Sequence, residues 1–346
     1  MLKNLTYKIG QAYLISKIFK NIVPRNLYFK VFLNTYKNLL HLYNPSSAVL
    51  GVTYRCQCEC VHCSAGLYVK DYKRELTTKE WFKVLDNISS LGTPRINISG
   101  GEALLREDIF EIIEYAARRF VVILESNGQM LTFQNAKYLK ESRVACVAVS
   151  IDSPDPQVHD ELRKLKGCFQ HAIDGIANLK KLKIPCLLST YVTSNKGNQD
   201  DLNRILVLAK QLKVLAVRIM PSRPVGSFSC NIDSLLDKTG EKYILRNMNP
   251  YIAYFKGIPA PKHCGILCKV TFYISPYGEV QPCPYMPLSF GNVKGQHLNI
   301  LLDRMWGHKI FKLEYNDCFI LNENFREKIL NPAIKKSYSL PVPVEE

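Results

Sequence analysis

From residue 46 onward the chain alternates short β-branched runs with longer stretches whose apolar residues recur every three or four positions. The runs "SAVLGVTY" (47–54), "RINIS" (95–99), "VVILES" (121–126), "VACVAVSI" (144–151), "PCLLSTYV" (185–192) and "AVRIM" (216–220) predict strands. Between them, segments at about 77–91, 107–119, 132–141, 168–183 and 200–212 predict amphipathic helices. Six such units imply an α/β fold with a parallel sheet, too few for a closed eight-stranded barrel but enough for an open, partial one. In either arrangement ligands gather at the carboxyl ends of the strands.

Four successive strand ends carry chemistry. The first runs into "RCQCECVHCSAG", which holds Cys56, Cys58, Cys60 and Cys63; the second into Gly100-Gly101-Glu102; the third into "SNG"; the fourth ends in "SID". Gly-Gly and Asn-Gly are ordinary turn formers when met singly. Beside a cysteine cluster they point to one site. Zinc favours paired C-x2-C arrangements, and only Cys60 and Cys63 form such a pair here. The spacing Cys56-x3-Cys60-x2-Cys63 suits a loop around three corners of an iron–sulfur cube, with the fourth iron open to a small molecule. Counting leaves the set Cys58, Cys60 and Cys63 open as an alternative.

The C-x3-C-x2-C loop after the first strand, the Gly-Gly-Glu after the second and the six βα units resemble the radical S-adenosylmethionine (SAM) enzymes over about residues 46–221. The resemblance implies a partial (β/α)6 TIM-like barrel and a 4Fe–4S cluster that binds and reductively cleaves SAM. The resulting 5'-deoxyadenosyl radical abstracts hydrogen from an organic substrate. It also implies an electron donor such as flavodoxin or ferredoxin. Carried over by position, Cys56, Cys60 and Cys63 would ligate the cluster and His62 would lie against adenine. Gly100, Gly101 and Glu102 would hold the SAM amino group. Ser126 and Asn127 match the motif at the third strand, and Ser150 and Asp152 stand where the ribose is contacted. Arg163 would bind the SAM carboxylate, its alternative being a helix-surface arginine.

Residues 222–262 show no βα pattern and read as a linker. After them, Cys264-x3-Cys268 leads into "VTFYI", the turn "SPYGE" and a second strand that brings in Cys283, a β-hairpin pattern. A zinc-ribbon fragment is one reading. The segment also resembles the SPASM or twitch extension of radical SAM enzymes. That implies one auxiliary 4Fe–4S cluster on Cys264, Cys268 and Cys283, with Cys318 as fourth ligand. The expected organisation is a basic helical segment (1–45), the barrel (46–221), the linker (222–262) and an auxiliary-cluster domain (263–346). Cys146, Cys168 and Cys186 fall in strands or at a helix start and read as small hydrophobes, and Cys230 as a lone thiol.

Composition adds three constraints. Twelve cysteines without a secretory signal pattern favour reduced, metal-binding thiols in a cytoplasmic protein. Lysines and arginines interrupt every long apolar stretch, so no membrane span is expected. The net charge is +16, and residues 1–50 hold Lys3, Lys8, Lys17, Lys20, Arg25, Lys30 and Lys37 with no Asp or Glu. "KIGQAYLISKIFKNIV" therefore reads as a basic amphipathic helix, either packed on the barrel or lying on an anionic surface such as the inner membrane. No nucleic-acid module is recognisable. For function, peptide or protein modification is the first expectation, and small-molecule, tetrapyrrole or lipid-related biosynthesis the second. Outside the enzyme class stands a non-catalytic iron–sulfur or zinc protein.

Overall fold

The computed structural model describes residues 2–40, 44–68, 70–194, 199–255, 269–311, 318–336 and 340–344. Its main sheet has nine strands: β1 (Ser47–Gly51), β2 (Arg95–Ser99), β3 (Val121–Ser126), β4 (Cys146–Ser150), β5 (Cys186–Val192), β6 (Ala216–Pro221), β7 (Ala253–Phe255), β8 (Thr271–Ile274) and β9 (Val280–Gln281). The spatial order is β7-β6-β5-β4-β3-β2-β1-β8-β9, parallel throughout except for the antiparallel β8–β9 hairpin. After two amino-terminal helices, α1 (Leu2–Ile22) and α2 (Tyr28–Leu39), the crossovers are α3 (Thr78–Ser90), α4 (Ile109–Ala117), α5 (Phe133–Glu141), α6 (Pro156–Arg163), α7 (Cys168–Lys181), α8 (Gln199–Leu212) and α9 (Lys238–Asn247). This is the expected open α/β barrel, with all six predicted strands and five predicted helices within a few residues of their sequence-based limits.

Capping chemistry sets several helix starts. Thr77 and Glu80 form a reciprocal capping box at α3, and Thr132 and Asp155 cap α5 and α6 through their side chains. Along the strands, side chains alternate between two cores. Val122, Leu124, Val147, Val149, Leu188 and Val217 pack outward under the helices. Val121, Ile123, Ala148, Leu187, Ala216 and Tyr254 face the lumen, where they meet Leu14, Ile22 and Leu27.

α1 thus plugs the amino-terminal end of the barrel. Gln11 Nε2 donates to the carbonyls of Pro250 and Ala253 at 3.0 and 2.9 Å, and Lys17 Nζ to that of Leu215 at 3.1 Å. Gly10 is required there, because a Cβ at this position would lie 2.7 Å from the Pro250 ring. Of the two readings for the first helix, packing on the barrel describes α1.

Two expectations change. The stretch read as a linker contains α9 and β7, which extend the sheet beyond β6 with the register Val217↔Ala253. A three-residue strand is too short to show periodicity, which is why the sequence pattern missed it. The predicted hairpin exists, but β8 pairs in parallel with β1, Ser47 opposite Thr271, so the segment completes the barrel edge that β1 would otherwise expose.

Because Leu14 is fully buried in the lumen, Leu14→Ala should lower the unfolding free energy by about 2–5 kcal/mol. Urea unfolding of the two proteins measures this, and an unchanged midpoint would show that α1 is not part of the cooperative fold.

Candidate active site at the carboxyl ends of the strands

The cysteine loop leaves β1 and is tied down at three places. Beyond the last ladder residues, Gly101 N–H donates to Thr53 O at 2.7 Å and Glu102 N–H to Arg55 O at 2.8 Å. Side chains cannot be accommodated there: a Cβ on Gly100 would lie 2.1 Å from Thr53 O, and one on Gly101 2.2 Å from Arg55 O. Gly100 also has φ +138°, a conformation open to glycine. The middle of the loop rests on the carboxyl end of α6, whose Arg163 and Leu162 carbonyls accept from Glu59 and Val61 N–H at 3.2 and 3.0 Å. At its far end the Cys63 carbonyl accepts from Ser227 N–H at 2.9 Å.

Glu102 is fully buried. Its carboxylate accepts from Ser126 Oγ (3.1 Å), Asn127 N–H (2.8 Å) and Leu104 N–H (3.3 Å), joining the second and third strand ends. Burial pushes this carboxyl up to about 7, against the pull of the Asn127 and Leu104 backbone donors. Asn127 in turn points Nδ2 at the sulfurs of Cys56 and Cys58, 3.6 and 3.5 Å away.

The fourth and fifth strands supply a second buried unit. Asp152 accepts from Tyr191 N–H at 3.0 Å, pairs with Arg163 Nη2 at 2.6 Å and faces His62 Nε2 at 3.5 Å. The His62 ring stacks on Tyr191 with centroids 4.2 Å apart. Arg163 also points Nη1 at Cys60 Sγ, 3.7 Å away. Burial opposes the guanidinium charge, but Asp152 and Cys60 outweigh it and hold Arg163 protonated. Arg163 is therefore no surface arginine. It and Asp152, expected to meet different parts of SAM, neutralise each other, as two buried opposite charges must. Ser150 ends β4 beside Ser189 and is half-buried.

The four clustered cysteines differ. The Cys56 thiol is lowered to about 6, first by a hydrogen bond from Cys58, and Cys60 is lowered by the same neighbour with Arg163 assisting. Burial pushes Cys63 up to about 11. Cys58 is buried and reaches toward α7, with its sulfur 3.9 Å from that of Cys168. Cys146, Cys168 and Cys186 are buried as expected, and Cys230 is exposed. Cys264 and Cys268 lie outside the described residues. Cys283 follows β9 and burial pushes its thiol up to about 12; it and Cys318 both pack against the main apolar core.

Sequence reasoning missed a polar layer between the apolar plug and this rim. Glu125 and Arg218 form a bidentate ion pair, to which Asn97 donates at 2.9 Å, while Arg218 donates to Ser189 Oγ at 2.7 Å. Glu125, Ser189 and Arg218 sit on the lumen face of β3, β5 and β6, a period-two signal visible only once that face is known. Above them Arg223, just past β6, donates Nη1 to the Ser222 carbonyl at 2.9 Å. Buried Arg106 binds Glu75, Asp108 and the carbonyls of Val52 and Leu76, bracing the loop from behind.

A family model for the radical SAM superfamily matches residues 50–209. The AdoMet-dependent heme synthase of Oleidesulfovibrio alaskensis is 30 % identical over 275 residues, 70 % of each chain. The chain belongs to the radical SAM superfamily. The Fe-coproporphyrin III synthase of Methanosarcina barkeri is 34 % identical over 167 residues, 48 % of this chain and 41 % of that one. Among solved structures, Streptococcus suis SuiB bound to precursor peptide SuiA superposes with a TM-score of 0.61 over 81 % of this chain and 69 % of that one, at 14 % identity. Native anSMEcpe with bound AdoMet and a peptide gives 0.60 over 82 % and 87 %, at 17 % identity. At such identities these two carry the fold alone.

As a radical SAM enzyme the chain requires a 4Fe–4S cluster, SAM, a reductant and a substrate. Its donor set fits a cluster. Two cysteines of the loop favour the thiolate, the form that ligates iron, and N–H donors from Asn127 and Arg163 are aimed at loop sulfurs. Cys58→Ala is expected to keep its iron and Cys56→Ala to lose about four irons per chain after anaerobic reconstitution. Iron analysis with absorbance near the thiolate-to-iron bands checks this, and the reverse result would assign the loop to Cys58, Cys60 and Cys63.

Proposed function

We propose that this chain is a radical SAM enzyme of tetrapyrrole metabolism, with its SAM cluster on Cys56, Cys60 and Cys63. The observation that carries the substrate class is the heme synthase similarity, which extends over 70 % of both chains. The first expectation, peptide or protein modification, gives way, because the peptide-bound neighbours share 14–17 % identity. When bound, the reduced cluster and SAM supply hydrogen-atom abstraction from an unactivated C–H bond.

The chain's own residues then have distinct tasks. Gly100 and Gly101 hold backbone close to the cysteine loop where the SAM amino group would bind, and Glu102, Ser126 and Asn127 form the acceptor-rich wall beside it. His62, seated on Tyr191, offers the adenine an aromatic surface, with Ser150 at the ribose. Asp152 and Arg163 work as a pair: Arg163 holds Asp152 in place and donates to Cys60. Cys283 and Cys318, with Cys264 and Cys268 outside the described residues, would hold an auxiliary 4Fe–4S cluster. The propionate side chains of a porphyrin end in carboxylates, and Arg223, just past β6 with Nη1 donating to the Ser222 carbonyl at 2.9 Å, is the cation we assign to bind one.

Reduced holoprotein given SAM should release 5'-deoxyadenosine, and adding Fe-coproporphyrin III or a related iron porphyrin should raise that release and change the porphyrin mass. Release with no mass change across an iron-porphyrin panel would sink the tetrapyrrole reading and leave the enzyme class standing. Arg223→Gln should raise the porphyrin KM roughly 10–100-fold, equivalent to one charged hydrogen bond, without altering substrate-free SAM cleavage. An unchanged KM would remove Arg223 from the substrate site. Cys283→Ala should reduce the iron content from about eight to about four per chain. Retention of all the iron would rule out Cys283 as a ligand.

A further inference from the structure

α2 is amphipathic in the wrong sense for a helix that only packs on its own protein. Three of its polar residues face inward. Asn34 is buried and donates to the Pro45 carbonyl at 3.1 Å, and Asn38 donates to Asn44 O and Ser46 Oγ at 3.0 Å each. Lys30 also turns in, donating to Arg119 O at 3.1 Å above the Phe120 ring. Its apolar residues face outward: Phe29 is 74 %, Phe32 66 % and Leu39 72 % exposed, with Leu33, Tyr36 and Leu40 exposed between and beside them. Positions 29, 32, 33, 36, 39 and 40 make one continuous helical stripe, a larger apolar surface than scattered exposed side chains would produce.

The charge around this stripe identifies what covers it. Lys20 and Arg25 are exposed beside the start of α2, where Phe19 packs on Tyr28, and the first 50 residues carry seven basic side chains and no acidic one. Two copies of such a segment would repel each other if they met face to face. An anionic lipid surface accepts the aromatic and aliphatic stripe and attracts its basic rim at once.

We propose that α2 is a peripheral docking helix that lays its Phe29–Leu40 stripe into the headgroup region of an anionic bilayer. Among the described residues no helix is long and apolar enough to cross a membrane, so the contact is interfacial. α1 and α2 anchor at the amino-terminal ends of β3, β6 and β7, through Arg119, Leu215 and Pro250. The docked barrel therefore turns its cysteine-bearing rim away from the lipid, and docking and SAM cleavage are separable.

The test is co-sedimentation of the full-length holoprotein with phosphatidylcholine vesicles, with and without phosphatidylglycerol. The wild type should pellet with the anionic vesicles and be released by salt. The triple variant Phe29→Ser/Phe32→Ser/Leu39→Ser should bind at least about tenfold more weakly while keeping its unfolding midpoint and substrate-free 5'-deoxyadenosine release. Lys20→Gln/Arg25→Gln should weaken binding and flatten its salt dependence. Equal binding by the triple variant, or a wild type that stays in the supernatant, would overturn the proposal. So would a lipid-free dimer that the triple variant converts to monomer, which would make a second copy the occupant.

Discussion

Two backbone hydrogen bonds, from Gly101 to Thr53 and from Glu102 to Arg55, hold the rest of the site in register. They join the extensions of β1 and β2 beyond the ladder, where the chain has stopped being sheet and started being loop. They form because residues 100 and 101 have no side chain to keep the strands apart. From this junction the cysteine loop departs in one direction and the buried Glu102 carboxylate in the other. The carboxylate fixes Ser126 and Asn127, and Asn127 reaches back to the loop sulfurs. A closed circuit of short contacts results, so shifting one strand end would misplace the others.

Electrostatics reinforces this circuit. Arg163 is a buried cation between a carboxylate and a thiol, which offsets part of the cost of burying either alone and, after the Cys58 hydrogen bond, biases Cys60 toward thiolate. Its carbonyl accepts from the loop backbone as well, so one residue at the end of α6 orients the loop through both its side chain and its main chain. The αL conformation of Lys164, with Asp160 accepting from Gly167 and Phe169 N–H, makes the sharp exit that brings Cys168 against Cys58. Cys58 thus meets Cys168 on α7 on one side and Cys56 and Cys60 on the other.

Much of this was legible before any coordinates. Strands five or more residues long and helices with full amphipathic turns announced themselves, and the cysteine spacing and Gly-Gly-Glu marked the rim. What escaped was non-local. β7 is three residues long and gains its place only by pairing with β6. β8 looked like part of a separate extension because its partner, β1, lies more than two hundred residues away in sequence. Arg163 could not be told from a surface arginine, since its burial depends on Asp152 and Cys60. Glu125 and Arg218 looked like ordinary polar positions until the lumen face was known. The sequence pattern predicts one amphipathic helix over 8–23 within the basic segment 1–45, whereas the structure has two helices there. In fact α1 spends apolar surface on the lumen, and α2 presents its own to the outside.

That contrast bears on how the two ends of the barrel divide their work. A lumen sealed below by Leu14, Ile22 and Leu27 cannot admit substrate from the amino-terminal side, so access is from the rim that carries the cysteines. The Glu125–Arg218 pair sits between plug and rim as a polar floor. Its charges neutralise each other, and Asn97 and Ser189 complete their hydrogen bonding. A floor of this kind tolerates water or a polar substrate edge above it while keeping the apolar plug dry below. Because Arg218 is already committed to Glu125, an added carboxylate on the proposed reading would meet the next arginine along the chain, Arg223, just past β6. Selectivity for an anionic substrate would then reside at the rim rather than in the depth of the barrel.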